Sequence, residues 1–323
     1  MIDHIKWQPT ANIPTLKKRA EIIQKIRQFF ICRDVLEVET PLLSWASGTD
    51  PQIMAIVAKV SIHPFQCMYL QTSPEFAMKR LLAAEAGAIF QICKAFRDEE
   101  YGRYHNPEFT MLEWYRTGYD LYHLMDEMDD LLRDILLSQP AKRYTYQALF
   151  EEKVGCNPHQ VSAKELQTIA SKYGIQEVSG IDPQDKTIWL QRLMSDVIEP
   201  ALIGDRPYFV FDYPAEQAAL AKVRQEDYPL ASRFEVYYQG IELANGFHEL
   251  TDATEQKARF RADLIAREKL GAPQVPIDDR LLAALTSGLP DCSGVALGID
   301  RLIMLALDFN SIDAVIAFPF KYA

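Results

Sequence analysis

The chain reads FRDEEYGRYHNPEFTMLEWY from Phe96 to Tyr115, and this stretch is the most informative part of the 323-residue sequence. Residues 88–99 alternate between the two faces of an extended chain, which predicts a β-strand with Arg97 and Glu99 on one face. Residues 109–115 alternate in the same way and place Glu113 and Tyr115 on one half-buried face. The pattern therefore predicts two strands joined by a charged loop.

The side chains of this hairpin suit the binding of a nucleotide. Arg97 and Glu99 fit an anion next to a hydrogen-bond donor, such as the phosphate and the amino group of a nucleotide. The loop and the second strand add phosphate donors and a flat ring for base stacking: Arg103, His105, Asn106 and Phe109. Glu113 among aromatic residues needs a cationic partner, because burial of an unpaired charge is costly. A solvated hairpin with ordinary ion pairs would explain an isolated Arg-x-Glu, but it explains the whole stretch less well.

The composition favours a large folded domain and argues against a nucleic-acid partner. The sequence is 48% apolar and has a net charge of -11, with a pI near 5.1. Nucleic-acid binding normally shows as a basic patch or a basic pI, so a nucleic acid is not the favoured partner. The length fits either two average domains or one large α/β domain.

The cysteines and the N-terminus bear on the compartment. The 5 cysteines are odd in number and include no Cys-x-x-Cys pair, which argues against a disulfide framework and a zinc site. We expect them to be reduced and mostly buried. No signal-peptide core and no apolar run long enough for a membrane span is present. We therefore expect a cytoplasmic protein.

The first third of the chain predicts a helix, a strand and a second helix start. Residues 1–14 look like an arm, residues 15–33 have the spacing of an amphipathic helix, and residues 35–40 read as a strand. Further on, Ser73 is a good N-cap, with Pro74 at the first helical position and Glu75 in the first turn. A helix start alone explains these three residues as well as a functional role does.

Residues 120–205 resemble a helical insertion, and a second hairpin follows at residues 233–246. If the Gln239-Gly240 turn has two residues, Tyr237 faces Glu242 and Glu235 faces Ala244. Glu235 and Glu242 are then diagonal neighbours. Two carboxylates at so short a distance repel each other unless a cation lies between them. Mg²⁺ beside a nucleotide triphosphate is the natural candidate; a solvated edge without an ion is the alternative.

The last informative stretch, residues 293–305, is a strand of small residues that leads into an apolar helix. Its Gly-x-x-x-Gly spacing alone indicates little, because glycines often only permit close packing. It is not a Walker A loop, because no Gly-Lys-Ser/Thr follows. Arg301 opens the predicted helix.

Together these stretches resemble the class II aminoacyl-tRNA synthetases in their lysine-specific form. Residues 96–115 resemble motif 2, residues 293–305 resemble motif 3, and the early helix, strand and proline resemble motif 1. The resemblance implies an α/β (α+β) catalytic domain over residues 15–323, with a mainly antiparallel sheet flanked by helices. It also implies a homodimer, ATP and Mg²⁺.

The resemblance also assigns roles to individual residues. Arg97 and Arg301 are the expected catalytic residues: Arg97 holds the α-phosphate, while Arg301 contacts the γ-phosphate and sandwiches adenine against Phe109. The expected ATP-binding set is Arg97, Asp98, Glu99, His105, Asn106, Phe109, Glu242, Leu243, Gly298 and Arg301. The expected amino-acid-binding set is Ser73, Pro74, Glu75, Glu113, Tyr115, Glu249 and Ala296. The expected metal ligands are Glu235 and Glu242.

Two departures from lysyl-tRNA synthetases bear on the substrate and the acceptor. Those enzymes carry an N-terminal anticodon-binding domain, for which this sequence leaves no room, and they have Gly at the position of Ala296. Both departures favour the stand-alone members, which activate (R)-β-lysine or lysine and transfer it to a lysine of translation elongation factor P. The alternatives are a minimal lysyl-tRNA synthetase, an inactive paralogue acting as a binding module, and an ammonia-using asparagine synthetase.

Overall fold

The computed structural model describes residues 7–63, 66–176 and 182–323. The α-helices are α1 (Ile13–Ile31), α2 (Glu75–Ala83), α3 (Leu121–Leu136), α4 (Tyr146–Lys153), α5 (Ala163–Lys172), α6 (Lys186–Leu193), α7 (Ala253–Lys269), α8 (Asp279–Gly288) and α9 (Ile299–Ala306). The strands are β1 (Leu36–Glu37), β2 (Leu43–Ser44), β3 (Val57–Lys59), β4 (Cys67–Leu70), β5 (Ile89–Phe96), β6 (Glu108–Thr117), β7 (Lys142–Thr145), β8 (Tyr208–Pro214), β9 (Val223–Gln225), β10 (Pro229–Tyr238), β11 (Ile241–His248) and β12 (Cys292–Gly298).

The chain divides into two compact units. Unit 1 comprises Met1–Arg116, Asp252–Pro290 and Ala296–Ala323, and unit 2 comprises Thr117–Thr251 and Asp291–Val295. Apart from the parallel pairs β1–β5 and β7–β8, the strand pairs described below are antiparallel. The mainly antiparallel, helix-flanked α+β class predicted from the sequence is therefore confirmed.

The strands of unit 1 are built around the predicted hairpin. β5 and β6 pair antiparallel from Ile89 opposite Tyr115 to Phe96 opposite Glu108, and β1 pairs parallel with β5. A separate small sheet has the order β2-β4-β3. β5 ends at Phe96, three residues before the predicted end, and Glu99 adopts a left-handed backbone with φ 64°. Glu99 therefore does not continue the face that carries Arg97.

Helix α1 begins two residues earlier than predicted. Asn12 is its N-cap, the Asn12 side chain accepts a hydrogen bond from the Thr15 amide at 2.8 Å, and a proline lies in the first turn. Inside unit 1, Phe30 of this helix stacks on Phe90 of β5 with ring centroids 4.7 Å apart. The strand that follows, β1, is shorter than the predicted residues 35–40.

A buried carboxylate joins three segments of unit 1. Asp300, at the start of α9, is only 3% exposed. It accepts a hydrogen bond from the Thr110 amide of β6 at 2.7 Å, and it forms an ion pair with Arg19 of α1 at 2.7 Å. Arg19 also donates to the Thr110 hydroxyl at 2.9 Å. The strand-to-helix passage predicted at residues 293–305 is confirmed, with Gly298 as the N-cap of α9.

In unit 2 the sheet has the strand order β11, β10, β8 and β7. β9 pairs with the N-terminal end of β10, from Pro229 to Ala231. The predicted two-residue turn between β10 and β11 is confirmed. Gln239 and Gly240 have φ 53° and 71°, the positive values that such hairpin turns require. The predicted pairing of Tyr237 with Glu242 is confirmed as well.

One predicted register in this hairpin is wrong. A bulge between Val236 and Tyr237 places Glu235 opposite Asn245, not opposite Ala244. A bulge sets two residues of one strand against one of the other, and alternation alone does not reveal it. Because directly opposite residues share a face, Glu235 and Glu242 remain on the same side of the sheet.

The helices of unit 2 enclose their own core. The described part of residues 120–205 contains α3 to α6 and β7. The buried residues of this core are Tyr146, Leu149, Phe150, Leu166, Ala170, Ile175, Trp189, Leu190, Leu193, Met194, Ile198, Leu202, Val210, Tyr213, Ala218, Ala231 and Tyr237. The boundaries of the predicted arm and insertion stay predictions.

The cysteines are free, as expected, but they are not mostly buried. Cys32 and Cys67 are exposed, Cys93 and Cys156 are half-buried, and Cys292 is buried. Among the helices in the described residues, none is both long enough and apolar enough to cross a membrane.

Gly246 of β11 offers a test of the packing in unit 2. A Cβ at this position would lie 2.5 Å from the Phe234 ring and 3.0 Å from Cβ of Val295. We expect Gly246→Ala to lower the free energy of unfolding by about 1–3 kcal/mol, because the added methyl group would overpack a site that is already filled. Gly48→Ala is the control, since its nearest neighbour would lie at an ordinary 3.5 Å. Urea unfolding measures both variants, and equal stability of the two would contradict the packing argument.

Candidate active site

A buried carboxylate lies at the centre of the first group of predicted site residues. Glu113 of β6 is 2% exposed. Its Oε1 accepts a hydrogen bond from the Tyr115 hydroxyl at 2.6 Å, and its Oε2 accepts one from the Ser73 hydroxyl at 2.7 Å. We call Glu113, Tyr115 and Ser73 the Glu113 cluster. Both carboxylate oxygens are oriented by neutral hydroxyl groups.

The surroundings of the cluster disfavour its negative charge. Burial and the nearby charge of Glu75 raise the pKa of Glu113 to about 7, against hydrogen bonds and Lys79 that lower it. Burial, followed by the charge of Glu113, also raises the pKa of the Cys93 thiol to about 12. A bound ammonium group would reverse this effect for Glu113, because an opposite charge favours the ionised carboxylate.

Ser73 contacts both the start of α2 and Glu113 with its hydroxyl group. Its hydroxyl accepts a hydrogen bond from the Glu75 amide at 3.0 Å and donates to Glu113. The predicted cap is wrong by one residue, because Pro74 is the N-cap of α2 and Glu75 is the first helical residue. A proline side chain cannot accept a capping hydrogen bond, so the hydroxyl of Ser73 accepts one from the free amide of Glu75.

Sequence reasoning missed Lys79. Its side chain is 1% exposed, and its ammonium pairs with Glu75 at 2.7 Å. The two residues lie four apart on α2, the spacing at which helical side chains meet. That spacing was the available signal. The negative charge of Glu75 is therefore already paired with a cation of the protein.

Arg97 follows the end of β5 and retains an unused donor. Its buried Nε has no hydrogen-bond partner in the part of the chain that the structure describes. Its guanidinium lies 5.2 Å from the centre of the Phe109 ring and 3.6 Å from Glu100. A buried donor without a partner costs about 1–3 kcal/mol, so this atom is suited to a ligand oxygen.

The two residues after Arg97 are placed differently from it. Asp98 and Glu99 are both exposed, and the Asp98 carboxylate accepts a hydrogen bond from the Glu99 amide at 2.9 Å. The Asp98 amide donates to the Met54 carbonyl at 2.8 Å. Their predicted contacts with ATP stay predictions.

The loop between β5 and β6 holds Arg301 of α9. Arg301 Nε donates to the Tyr104 carbonyl at 3.1 Å, and its Nη2 lies 2.7 Å from Nε2 of His105. Asn106 supports the loop itself: its amide donates to the Glu108 carbonyl at 2.6 Å and accepts from the Phe320 amide at 2.9 Å. The structure thus brings Arg301 and His105 together and gives Asn106 contacts within the protein.

In unit 2 the structure surrounds Glu235 with three partners. Arg233 pairs with its Oε1. The hydroxyls of Tyr213, at 2.5 Å, and of Tyr237 donate to its Oε2. Burial and the Glu235 charge raise the pKa of Tyr213 above its ordinary value. Sequence reasoning missed Arg233, although its position two residues before Glu235 on the same strand face was a signal.

The other predicted residues of unit 2 lie on or just after β11. Glu242 is half-buried opposite Tyr237, and Leu243 is buried. Glu249 is 1% exposed, and its amide donates to the Cys292 carbonyl at 3.0 Å. Burial lowers the pKa of Arg233, but the charge of Glu235 and, more weakly, that of Glu242 raise it above its ordinary value.

The donor set of Glu235 and Glu242 fits Mg²⁺. A carboxylate offers about four lone-pair positions, and Glu235 uses three of them for Arg233 and the two tyrosines. Among the residues that the structure describes, this leaves one position on Oε1 open to a cation. No cluster of three or more metal-ligating side chains occurs in the described residues, and Mg²⁺ beside a nucleotide needs only one or two carboxylates because phosphates and water complete its shell.

The predicted site residues divide between the two units. Unit 1 holds Ser73, Pro74, Glu75, Arg97, Asp98, Glu99, His105, Asn106, Phe109, Glu113, Tyr115, Ala296, Gly298 and Arg301. Unit 2 holds Glu235, Glu242, Leu243 and Glu249. In unit 1 the arrangement can bind an ammonium group at the Glu113 cluster and an anion at Arg97.

The sequence was compared with known families and proteins. The family model of tRNA synthetases class II (D, K and N) matches residues 3–322. The elongation factor P–(R)-β-lysine ligases of Klebsiella pneumoniae (strain 342) and Salmonella agona (strain SL483) are each 50% identical to this chain over 322 residues, covering 98% of either chain in both cases. Because this family model matches nearly the whole chain, the protein belongs to the class II tRNA synthetase family of the aspartate, lysine and asparagine enzymes.

Proposed function

We propose that this protein activates (R)-β-lysine, or lysine, with ATP and transfers it to a lysine side chain of translation elongation factor P. The Glu113 cluster carries the proposal, because a buried carboxylate whose two oxygens accept hydrogen bonds from neutral hydroxyl groups is suited to the ammonium of a lysine side chain. The names of the 50% identical relatives support both the amino acid and the acceptor.

In the first step an oxygen of the substrate carboxylate attacks the α-phosphorus of ATP. The bond from that phosphorus to the bridging oxygen breaks, so pyrophosphate leaves and an aminoacyl adenylate forms. A carboxylate is already a nucleophile at neutral pH, so the protein needs only to align the groups and neutralise charge. Arg97 offers its unused Nε to the α-phosphate, and Phe109 provides the face on which adenine stacks.

Arg301, with Gly298 at the start of the same helix, completes the proposed nucleotide contacts in unit 1. Glu242 and Leu243 are the proposed contacts from unit 2. Mg²⁺, held by Glu242 and the remaining position of Glu235, would supply positive charge to the phosphates.

The amino acid is proposed to bind through its charges. Glu113, Tyr115 and Glu249 receive the side-chain ammonium, while Ser73, Pro74 and Glu75 lie at the other amino group. Ala296 in β12 is half-buried, and its methyl group occupies space that a glycine would leave open. This difference favours a β-amino acid, whose backbone runs differently from that of an α-amino acid.

In the second step the acceptor amine attacks the carbonyl carbon of the adenylate. The carbon–oxygen bond to AMP breaks, an amide forms, and the amine loses a proton. Because the proposed acceptor is a translation factor, the reaction takes place in the cytoplasm. We also propose a homodimer, on the resemblance of α1 and β1 to motif 1.

The first experiment measures amino-acid-dependent ATP–pyrophosphate exchange with α-lysine and (R)-β-lysine side by side. Elongation factor P or tRNA is then added to the preformed adenylate. We expect faster exchange with (R)-β-lysine and transfer to the protein. Preference for α-lysine with transfer to tRNA would instead identify a minimal lysyl-tRNA synthetase, and no exchange with either amino acid would favour a binding module.

Ala296→Gly tests the basis of this preference. Removal of one methyl group from a pocket changes discrimination by about 10- to 200-fold, so we expect the ratio of kcat/KM values to shift toward α-lysine by at least tenfold. An unchanged ratio would show that Ala296 does not determine the substrate.

Arg97→Ala tests the activation step. Loss of a donor that stabilises transition-state charge lowers rates by about 10²- to 10³-fold, and we expect a loss of pyrophosphate exchange in this range. Arg206→Ala is the control, because Arg206 makes a surface ion pair with Asp205 and such pairs contribute little. Normal exchange by Arg97→Ala would refute the assigned role.

The raised pKa of Glu113 predicts a pH-dependent affinity for the amino acid. The free carboxyl is mostly protonated below its pKa of about 7 and mostly ionised above it, and the substrate ammonium binds the ionised form. We therefore expect affinity to rise about tenfold between about pH 6 and about pH 8 and then to level off. Calorimetric titration with the amino acid at each pH measures this affinity.

Two variants test the origin of this pH dependence. Tyr115→Phe removes a hydrogen bond that lowers the pKa of Glu113, so the midpoint should move to higher pH. Glu113→Gln should remove the transition altogether and weaken binding at every pH. A transition that persists in Glu113→Gln would have to come from another group.

A further inference from the structure

The loop between β5 and β6 is held by hydrogen bonds within the loop and by hydrogen bonds to residues 310–312. The amides and carbonyls of Gly102 and His105 bond to each other at 3.0 and 3.3 Å, which closes a tight turn. The Arg103 carbonyl accepts from the Ile312 amide at 3.2 Å, and the Arg103 side chain donates to Asn310. These bonds, all inside unit 1, set the position of the His105 ring.

The ring of His105 meets the side chain of Arg301. Nη2 of Arg301 lies 2.7 Å from Nε2 of His105, and Nε of Arg301 donates to the Tyr104 carbonyl at 3.1 Å. A guanidinium has only donors, so Nε2 must accept and carry no proton. The ring is then neutral, with its proton on Nδ1.

The charges around His105 favour this neutral form. Burial, and then the positive charge of Arg301, lower the pKa of His105 below its ordinary 6.5. Arg97, from the end of β5, acts in the same direction, whereas Glu100 in the loop opposes them. A third positive charge, on His105, would be repelled by both Arg97 and Arg301.

We propose that His105 is a positioning residue: its neutral ring, together with the Tyr104 carbonyl, holds the Nε–Nη2 edge of Arg301 in place for the phosphates of ATP. This role differs from that of a cationic phosphate donor, which would need the protonated ring. The proposal rests on the proposed function, since it concerns the activation step of that reaction. Protonation of His105 turns its acceptor into a donor and releases Arg301.

Two amide side chains test which ring nitrogen matters. The amide oxygen of glutamine can replace Nε2 as an acceptor, whereas asparagine is too short and reaches only the position of Nδ1. Neither side chain titrates. We therefore expect His105→Gln to lose clearly less exchange than His105→Asn and His105→Ala, which should lose about ten- to a hundredfold, the effect of one hydrogen bond to a charged group.

The pH profile gives a readout that a merely structural role would not change. With saturating amino acid, kcat/KM for ATP should fall as pH decreases through a pKa below 6.5 in the original protein, and this acidic limb should be absent from His105→Gln. The titration of ATP itself is common to both proteins and cancels in the comparison. Glu113 acts on the affinity for the amino acid, so saturation removes its effect.

The remaining controls separate the possible outcomes. His159→Gln replaces a histidine of unit 2 whose pKa is also lowered by burial and whose ring stacks on Tyr228; its profile should match the original. Equal losses in His105→Gln and His105→Asn, no loss in His105→Ala, or a rate that rises as pH falls would each overturn the proposal. Absence of exchange in the unmodified protein would instead refute the proposed function.

Discussion

The buried carboxylate of Asp300 is the contact on which unit 1 depends. It accepts from the β6 backbone and pairs with Arg19 of α1, so one side chain fixes the first helix, the second strand of the hairpin and the start of α9 relative to one another. Removal of one partner from such a buried pair costs about 3–5 kcal/mol, because the other charge stays buried. The next residue along α9 is Arg301, so the same contact fixes the backbone from which its side chain extends.

The repeating patterns of the sequence predicted the framework well. Alternation located β5 and β6, and the Gln239-Gly240 pair located the turn between β10 and β11, because strand period and turn backbone are local properties. The patterns failed where a local backbone departs from the period: Glu99 has a left-handed backbone, and a bulge shifts Glu235 by one partner. Neither departure changes composition, so nothing in the pattern reveals it.

The candidate site was predicted by residue type, but its pairing was not. The motifs named Glu75, Glu113 and Glu235, yet they did not reveal that Lys79 neutralises Glu75 or that Arg233 and two tyrosines surround Glu235. Such partners depend on which side chains are buried together. A resemblance between sequences predicts which residue occupies a site, whereas the charged partners of that residue depend on how the chain folds.

The structure divides charged residues into two classes by the kind of partner that holds them. Asp300 is paired with an opposite charge, and its field is therefore cancelled within the protein. Glu113 accepts hydrogen bonds from two hydroxyls, groups that orient a charge without neutralising it. An oriented charge in a buried site acts strongly on a ligand of opposite sign, because little reorganisation is needed. The raised pKa of Glu113 is a consequence of this arrangement, because burial and the charge of Glu75 outweigh the hydrogen bonds that lower it.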